Sequence, residues 1–258
     1  MSAKACYGCG DSNCKAGVFV WRLSARYLRR ANNGQTRSMS EKNYILWDIP
    51  TRLCHWLIAA CVPLAWLSAE TQNYELHQWL GYTMIVLVTS RIIWGFVGSP
   101  HSRFADFLVG PRRLVAYLRG GAAKSAGHNP AGAWSVIALL LLLLLQAISG
   151  LFNSDDIFFN GPLYHAASVE LRDNMGWIHD IAFYALLALI GLHVVAVLYH
   201  QYRHKEPLVQ AMVKGRAAGR HGRRAPVSAW RAVLTVLLVA LGLWGLLQLV
   251  PPPPPVMW

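Results

Sequence analysis

Residues 177–200 read WIHDIAFYALLALIGLHVVAVLYH, in which Asp180 is the one residue among Asp, Glu, Lys and Arg. A helix needs roughly 20 apolar residues to cross a hydrocarbon core of about 30 Å, so this stretch predicts a membrane span. Its histidines His179 and His193 are fourteen residues apart. At about 100° and 1.5 Å per residue they fall within about 40° of each other and about 21 Å apart along the axis. One helix face therefore carries two histidines at two depths.

Four other stretches approach the same length, which predicts five spans over about 52–69, 76–97, 133–152, 177–200 and 229–250. The chain is 55% apolar and 14% charged, and the run Leu139–Leu145 is too oily for a soluble helical bundle. The net charge of +12 lies between the apolar runs and forms no continuous face, which argues against nucleic acid. We expect an all-α integral membrane protein: a four-helix transmembrane bundle plus a fifth, C-terminal transmembrane helix.

The orientation follows from the basic residues between the spans, because cytoplasmic segments hold the excess of Lys and Arg. Residues 1–52 carry nine basic and three acidic side chains. Residues 98–132 carry five basic side chains and one acidic one, and residues 201–227 carry seven basic side chains and one acidic one. By contrast, 70–75 carries two acids and no base, and 153–176 carries four acids against Arg172. The pattern predicts a cytoplasmic amino terminus, five crossings and a carboxyl terminus outside.

Several residues are assigned to the membrane boundary. Asp48 is a candidate cap of the first helix, which the proline at 50 can begin. The segment 103–119 mixes aromatic and aliphatic residues with arginines, which suits a helix lying in the inner interface. The run 251–255 is all proline and predicts a short extended tail. Interfacial anchors are expected at Trp47, Trp56, Trp94, Trp134 and Trp177.

The four intramembrane histidines form depth-matched pairs. His55 lies near the inner end of the first span, and His77 begins the second span at the outer end. Because the fourth span runs inward, the topology pairs His55 with His193 and His77 with His179. Two imidazoles make a closed low-spin axial site, so the pairs predict two stacked haems and electron transfer across the bilayer. His200, seven residues beyond His193 and on nearly the same face, ranks second because it would place iron in the headgroups.

Other side chains are candidates for contact with the haems. Gly81, one turn after His77, would let a porphyrin approach that helix, and Gly150 and Gly191 serve either the same purpose or ordinary helix packing. Arg91 and Arg52 are candidate partners of haem propionates. For both arginines the alternative is snorkelling to the headgroups.

The motifs WDIPTRLCHW (47–56), LHQWLG (76–81), WIHD (177–180) and GLH (191–193) resemble the bacterial cytochrome b561 and nickel-hydrogenase-type cytochrome b family. The resemblance runs from about 43 to 215. It implies a bacterial inner-membrane protein with a four-helix core, two b haems at His55, His77, His179 and His193, quinone as one redox partner, and a c-type cytochrome or hydrogenase-like protein as the other. The fifth span lies outside the shared core, either as a docking element or as an anchor.

Three divisions of the chain follow: an extension over 1–42, a di-haem domain over 43–215, and a linker, fifth span and proline-rich tail over 216–258. Met39 is a plausible true start, which would make residues 1–38 an artefact. Cys6, Cys9 and Cys14 lack a clear fourth ligand, so we favour no metal site there.

The leading function is an electron-transfer subunit of the respiratory chain without substrate chemistry beyond quinone oxidation or reduction. A self-contained superoxide:quinone oxidoreductase is the first alternative, as some members of the family imply. A haem-free transporter or membrane anchor, whose histidines carry protons or metal, is the second.

Overall fold

The computed structural model describes residues 46–121, 129–155, 157, 159–216 and 225–251. Apart from an isolated β-bridge between Ser154 and Asn160, the regular structure of these ranges is helical. The helices are α1 (Ile49–Glu70), α2 (Tyr74–Val97), α3 (Phe104–Phe107), α4 (Pro111–Leu118), α5 (Pro130–Ser149), α6 (Val169–Arg203), α7 (Leu208–Lys214) and α8 (Trp230–Gln248), and a 3-10 turn, Gly150–Phe152, extends α5. α1, α2, α5, α6 and α8 are long and apolar enough to cross a membrane, which confirms the five predicted spans.

The first four spans begin at side-chain caps, in which a side-chain oxygen accepts a backbone N–H of the first turn. The four caps are Asp48, Asn73, Asn129 and Ser168. Such caps stabilise a helix by about 1 kcal/mol each. The prediction of a cap at Asp48 is confirmed, since its carboxylate accepts the N–H of Thr51 at 3.1 Å.

α6 begins at Val169, eight residues before the predicted span. Ser168 accepts the N–H of Leu171 and starts the helix there. Residues 169–176 carry three charged side chains among apolar ones and contain no proline, so nothing interrupts the helix before the apolar stretch begins. Hydropathy therefore found the membrane part of α6 and missed its first two turns.

α2 lies at the centre of the bundle and packs against α1, α5 and α8, while α6 packs against α5. Within the described ranges, α6 makes at most a marginal backbone approach to α1 or α2. The faces that carry the four predicted histidine ligands are therefore held apart, while helices adjacent in sequence pack closely. We call the end of the bundle with segments 70–75 and 153–176 the acidic end, and the opposite one the basic end.

Segment 103–119 forms two short helices, α3 and α4, and the expectation of a single interfacial helix is wrong. Pro111 disfavours helical backbone at Gly110 before it, so the chain turns between the two helices. Phe104 and Phe107 of α3 are buried in the core, whereas α4 has no buried residue. Only α4 keeps the exposure expected of an interfacial helix.

Two of the five expected tryptophan anchors are buried. Trp47 is 6% and Trp94 3% exposed, whereas Trp56, Trp134 and Trp177 are exposed. Trp94 donates its indole N–H to a carboxylate oxygen of Asp48 at 2.9 Å. Hydropathy cannot distinguish a tryptophan at the membrane interface from one that donates a hydrogen bond to a buried capping residue, because both kinds lie at the ends of spans.

The remaining helices complete the basic end. The C-terminal Gly215 of α7 accepts the backbone N–H groups of Leu46 and Trp47, which joins α7 to the start of α1. α8 packs along α2, and the N–H of Val227 before it donates to Ser99 at 2.9 Å. The fifth span is therefore docked on α2. Cys6, Cys9, Cys14, Met39 and the prolines after 251 lie outside the described residues.

Candidate functional site

At the acidic end the structure brings together His77 of α2 and His179 of α6. Their ring centroids are 6.4 Å apart and the ring planes are inclined by 75°. Both side chains are half-buried. The predicted pair therefore faces across the gap between two helices that do not pack closely.

Each ring of this pair is held through Nδ1. His77 Nδ1 lies 2.8 Å from the carbonyl oxygen of Ala65 and 3.3 Å from the hydroxyl of Ser68. His179 Nδ1 lies 2.9 Å from the carbonyl of Gln146 and 3.2 Å from the hydroxyl of Ser149. A carbonyl oxygen can only accept, so Nδ1 carries the proton in both rings. The lone pair of each neutral ring is therefore on Nε2, as an axial metal ligand requires.

The pair has the dimensions of a bis-histidine iron site. Two metal–nitrogen bonds of about 2.0 Å plus the radii of two imidazole rings put the centroids about 6 Å apart. The measured 6.4 Å agrees with that sum. A side chain built on Gly81, one turn from His77, would meet no atom within 4 Å. A flat macrocycle thus fits both the ring separation and the open surface of α2.

Gln146 contributes a second contact to His179. Its side-chain amide nitrogen lies 3.0 Å from His179 Nε2, and since Nδ1 holds the proton, the amide donates this hydrogen bond. An axial bond from Nε2 to iron would replace it. The carbonyl oxygen of the same side chain is buried without a partner among the described residues, so no second bond fixes the amide in place.

Gly150 makes room for the His179 ring, a role that sequence analysis left open. A Cβ on Gly150 would lie 2.9 Å from Cε1 and 3.3 Å from Nδ1 of His179. Gly191, the other glycine considered with it, would meet no atom within 4 Å. The two glycines therefore differ: one admits a histidine ring, and the other faces open space.

At the basic end, His55 of α1 and His193 of α6 are both half-buried. The Nδ1 of His55 is buried and has no hydrogen-bond partner within the described ranges. No hydrogen bond to the His193 side chain is found in the same part of the chain. This pair thus lacks the Nδ1 anchors of the acidic-end pair.

His200, the competitor of His193, is engaged elsewhere. Its Nε2 lies 3.3 Å from the amide nitrogen of Asn129, and its Nδ1 lies 3.7 Å from the Glu206 carboxylate. Its ring also stacks on that of His204 with centroids 5.0 Å apart. These contacts hold His200 at the end of α6 and favour His193 as the partner of His55.

The two arginines predicted to meet propionates lie in different surroundings. Arg91 is 8% exposed, donates Nη2 to the Ser102 carbonyl at 3.2 Å and lies over the Phe104 ring. Its Nη1 is buried without a hydrogen-bond partner among the described residues. Arg52 instead donates to the carbonyls of Met212 and Val213 at the carboxyl end of α7. Arg91 therefore keeps a donor for an anion, whereas Arg52 caps a helix.

Sequence analysis missed the polar residues that hold the histidines. Gln146 is the one amide side chain in the span 133–152, and a polar residue in so apolar a stretch is itself a functional signal. Ser149 and Ser68 carry no comparable signal, since a serine in a membrane helix commonly bonds its own backbone. Within the described ranges, no group of three or more His, Cys, Asp or Glu side chains is arranged to hold a metal ion directly.

Comparison with known proteins matches residues 46–215 to a family model described as prokaryotic cytochrome b561. Three relatives are described as probable Ni/Fe-hydrogenase B-type cytochrome subunits. The Bradyrhizobium diazoefficiens protein is 20% identical and the alignment covers 69% of this chain and 87% of that protein. The Azotobacter vinelandii protein is 21% identical, and the alignment covers 71% of this chain and 92% of that protein. The Escherichia coli K12 protein, a hydrogenase 1 subunit, is 20% identical, and the alignment covers 73% of this chain and 97% of that protein.

Proposed function

The chain belongs to the prokaryotic cytochrome b561 family and is a multi-pass b-type cytochrome of the bacterial inner membrane, and we propose that it holds two haems. His77 and His179 are the proposed axial ligands at the acidic end, and His55 and His193 those at the basic end. The proposed activity is electron transfer between the quinone pool and a hydrogenase-like redox protein. The proposed topology puts the basic end in the cytoplasm, as the distribution of Lys and Arg indicates.

The geometry of His77 and His179 carries this proposal. Their 6.4 Å centroid separation suits two axial ligands of one iron, and each Nδ1 is held by a backbone carbonyl, which leaves Nε2 for the metal. Carbonyl and hydroxyl partners of this kind fix the orientation of a ligating ring and raise its basicity. The second pair is supported by the position of His193, which lies on the same face of α6 as His179, fourteen residues further along the helix.

Haem supplies one-electron chemistry when it is bound, and the protein residues set the conditions for it. The imidazoles of each histidine pair would hold one haem, and a site closed by two imidazoles would favour electron transfer over binding of oxygen. Ser68 and Ser149 keep the acidic-end rings in place. At the basic end, Arg91 would offer the unpaired Nη1 to a propionate carboxylate, and its hydrogen bond to Ser102 and its contact with the Phe104 ring orient the guanidinium.

The partner is proposed from the relatives, which are described as hydrogenase cytochrome subunits. A c-type cytochrome is the other partner considered, and superoxide oxidation without a partner protein is the remaining alternative. Purification of the protein in mild detergent distinguishes a hydrogenase partner, a c-type cytochrome partner and superoxide oxidation without a partner. Co-purification of a hydrogenase supports the proposal, and superoxide-dependent quinone reduction by the isolated chain would replace it.

Single histidine variants test the two sites. We expect His179→Ala to remove one haem per polypeptide and His193→Ala to remove the other, because the two sites share a helix but no ligand. His200→Ala is the matched control on α6 and should keep both haems. Haem per polypeptide and the reduced-minus-oxidised spectrum are measured for each variant. Loss of haem in His200→Ala with full retention in His193→Ala would overturn the basic-end pairing, and a wild-type chain without b-type bands would overturn the whole proposal.

A further inference from the structure

α4 lies where the bilayer boundary must be. It follows the end of α2 at Val97 and precedes the start of α5 at Pro130, and both of these termini are at the basic end. The indole N–H of Trp134, in the second turn of α5, donates to the carbonyl of Val109 at 3.1 Å. α4 also packs against α5. These contacts hold the helix beside the first turns of a membrane span.

The surface of α4 has a protein face, an apolar flank and a basic face. Leu114 and Tyr117, its partly buried large side chains, lie on the side that meets the bundle. Arg112 and Arg119 are seven residues apart, so they lie within about 20° of each other on the opposite side, and Arg113 lies about 100° further round. All three arginines are exposed. Arg112 and Arg119 thus point away from the protein, and Arg113 lies at the edge of the basic face, opposite the apolar flank.

The apolar flank lies between the protein face and the basic face. Leu118 is 67% and Val115 43% exposed. Exposed aliphatic side chains next to exposed arginines are typical of a helix that lies in the headgroup region, with its flank against acyl chains. This arrangement is not explained by the histidine sites, which α4 does not contact through any described side chain.

The charge of the basic face is not neutralised by the protein. Asp106 is the one acidic residue in the segment 103–119, and it bonds Arg103 at 2.9 Å. No ion pair to Arg112, Arg113 or Arg119 is found in the described part of the chain. Guanidinium groups bind phosphate in a bidentate manner, and a basic surface at the membrane boundary attracts anionic lipid.

We propose that α4 is a binding surface for anionic phospholipid. Arg112 and Arg119 bind the phosphodiester and the headgroup, Val115 and Leu118 contact the acyl chains of the same lipid, and Arg113 adds positive charge on the other edge of the helix. The surface therefore selects phosphatidylglycerol over phosphatidylcholine, since the zwitterionic headgroup carries its own positive charge. The proposal depends on the membrane location and not on the number of haems.

Native mass spectrometry of the full chain in mild detergent tests this surface. The protein is delipidated and titrated with phosphatidylglycerol or phosphatidylcholine. A contribution of about 1 kcal/mol per basic residue corresponds to about fivefold in affinity. Each single Arg→Gln change should therefore lower the affinity for phosphatidylglycerol about fivefold, and the triple variant should lower it about a hundredfold. Binding of phosphatidylcholine should stay the same.

The matched control removes three basic residues from the same end of the bundle outside α4: Arg203→Gln, Lys205→Gln and Lys214→Gln, all of which are exposed in the wild type. It should change phosphatidylglycerol binding less than fivefold. Equal losses in the control and in the α4 variant would show that the net charge of the basic end attracts the lipid, and the proposed surface would be wrong. Unchanged binding in the single Arg112→Gln and Arg119→Gln variants would overturn it as well. Displacement of the lipid by inorganic phosphate at equal concentration would show a phosphate site in which the acyl chains play no part.

Discussion

Gly150→Ala is expected to weaken haem binding at the acidic end without disturbing the helix that carries the change. The backbone of Gly150 has φ −61° and ψ −21°, a helical conformation that alanine adopts readily. Alanine is about 1 kcal/mol more favourable than glycine in a helix. Any loss in this variant must therefore come from the added Cβ and not from the backbone.

The size of the effect follows from the contact with His179. The new Cβ would lie 2.9 Å from Cε1, whereas ordinary contact begins at 3.4 Å, so the ring must move by about 0.5 Å (3.4 − 2.9). The Gln146 carbonyl and the Ser149 hydroxyl hold the ring from the same turn of α5. Overpacking of this kind costs about 1–3 kcal/mol, which corresponds to a loss of about fivefold to about 150-fold in retention of the acidic-end haem.

The assay is haem per polypeptide after dialysis against a haem-binding competitor such as apomyoglobin. Gly242→Ala is the matched control, because its Cβ would meet no atom within 4 Å and it lies on α8, which carries no proposed ligand. We expect the Gly150 variant to lose one haem faster than wild type and the Gly242 variant to behave as wild type. Identical haem loss from the Gly150 variant and wild type would refute the placement of His179 against α5.

Two further substitutions test the basic end. Trp94→Phe removes the indole donor to the buried carboxylate of Asp48, which should lower the stability by about 1–3 kcal/mol, whereas the exposed Trp177→Phe should leave it unchanged. Thermal unfolding in detergent compares the two, and equal midpoints would contradict the bond. Arg52→Gln removes two donors to the α7 carbonyls and should speed proteolysis of 204–216 while both haems stay bound. Loss of a haem with unchanged proteolysis would instead support the role of Arg52 at a propionate.

The sequence was sufficient for the spans and for the face of α6. Hydropathy over about 20 residues is a property of each segment alone, and so is the angle between His179 and His193 on one helix. The motif resemblance led to the family that the comparison establishes. The predicted order of depths also placed His77 opposite His179, where the structure has both rings.

The contacts between segments distant in sequence could not be predicted from hydropathy or from the geometry of single helices. Arg52 and Arg91 are alike as charged residues near the basic end of a span, yet one caps α7 and the other is buried beside Phe104. Trp94 likewise resembles an interfacial anchor until its bond to Asp48 is known. Each of these outcomes depends on which loop or short helix covers the end of the bundle, and hydropathy carries no information about that.

α5 contributes no proposed ligand, yet it determines what the histidines of α6 can do. Its Gln146 carbonyl and Ser149 hydroxyl hold the ring of His179 through Nδ1, which leaves the lone pair on Nε2, and the Gln146 side-chain amide donates to that nitrogen. At the other end of α5, its cap Asn129 bonds Nε2 of His200, whose ring also lies against His204 and 3.7 Å from the Glu206 carboxylate. His193, between these two, receives no described hydrogen bond and stays available to His55. The polar side chains of α5 and its cap therefore position a histidine ring at each end of α6, and the further contacts of His200 with Glu206 and His204 distinguish it from the two proposed ligands.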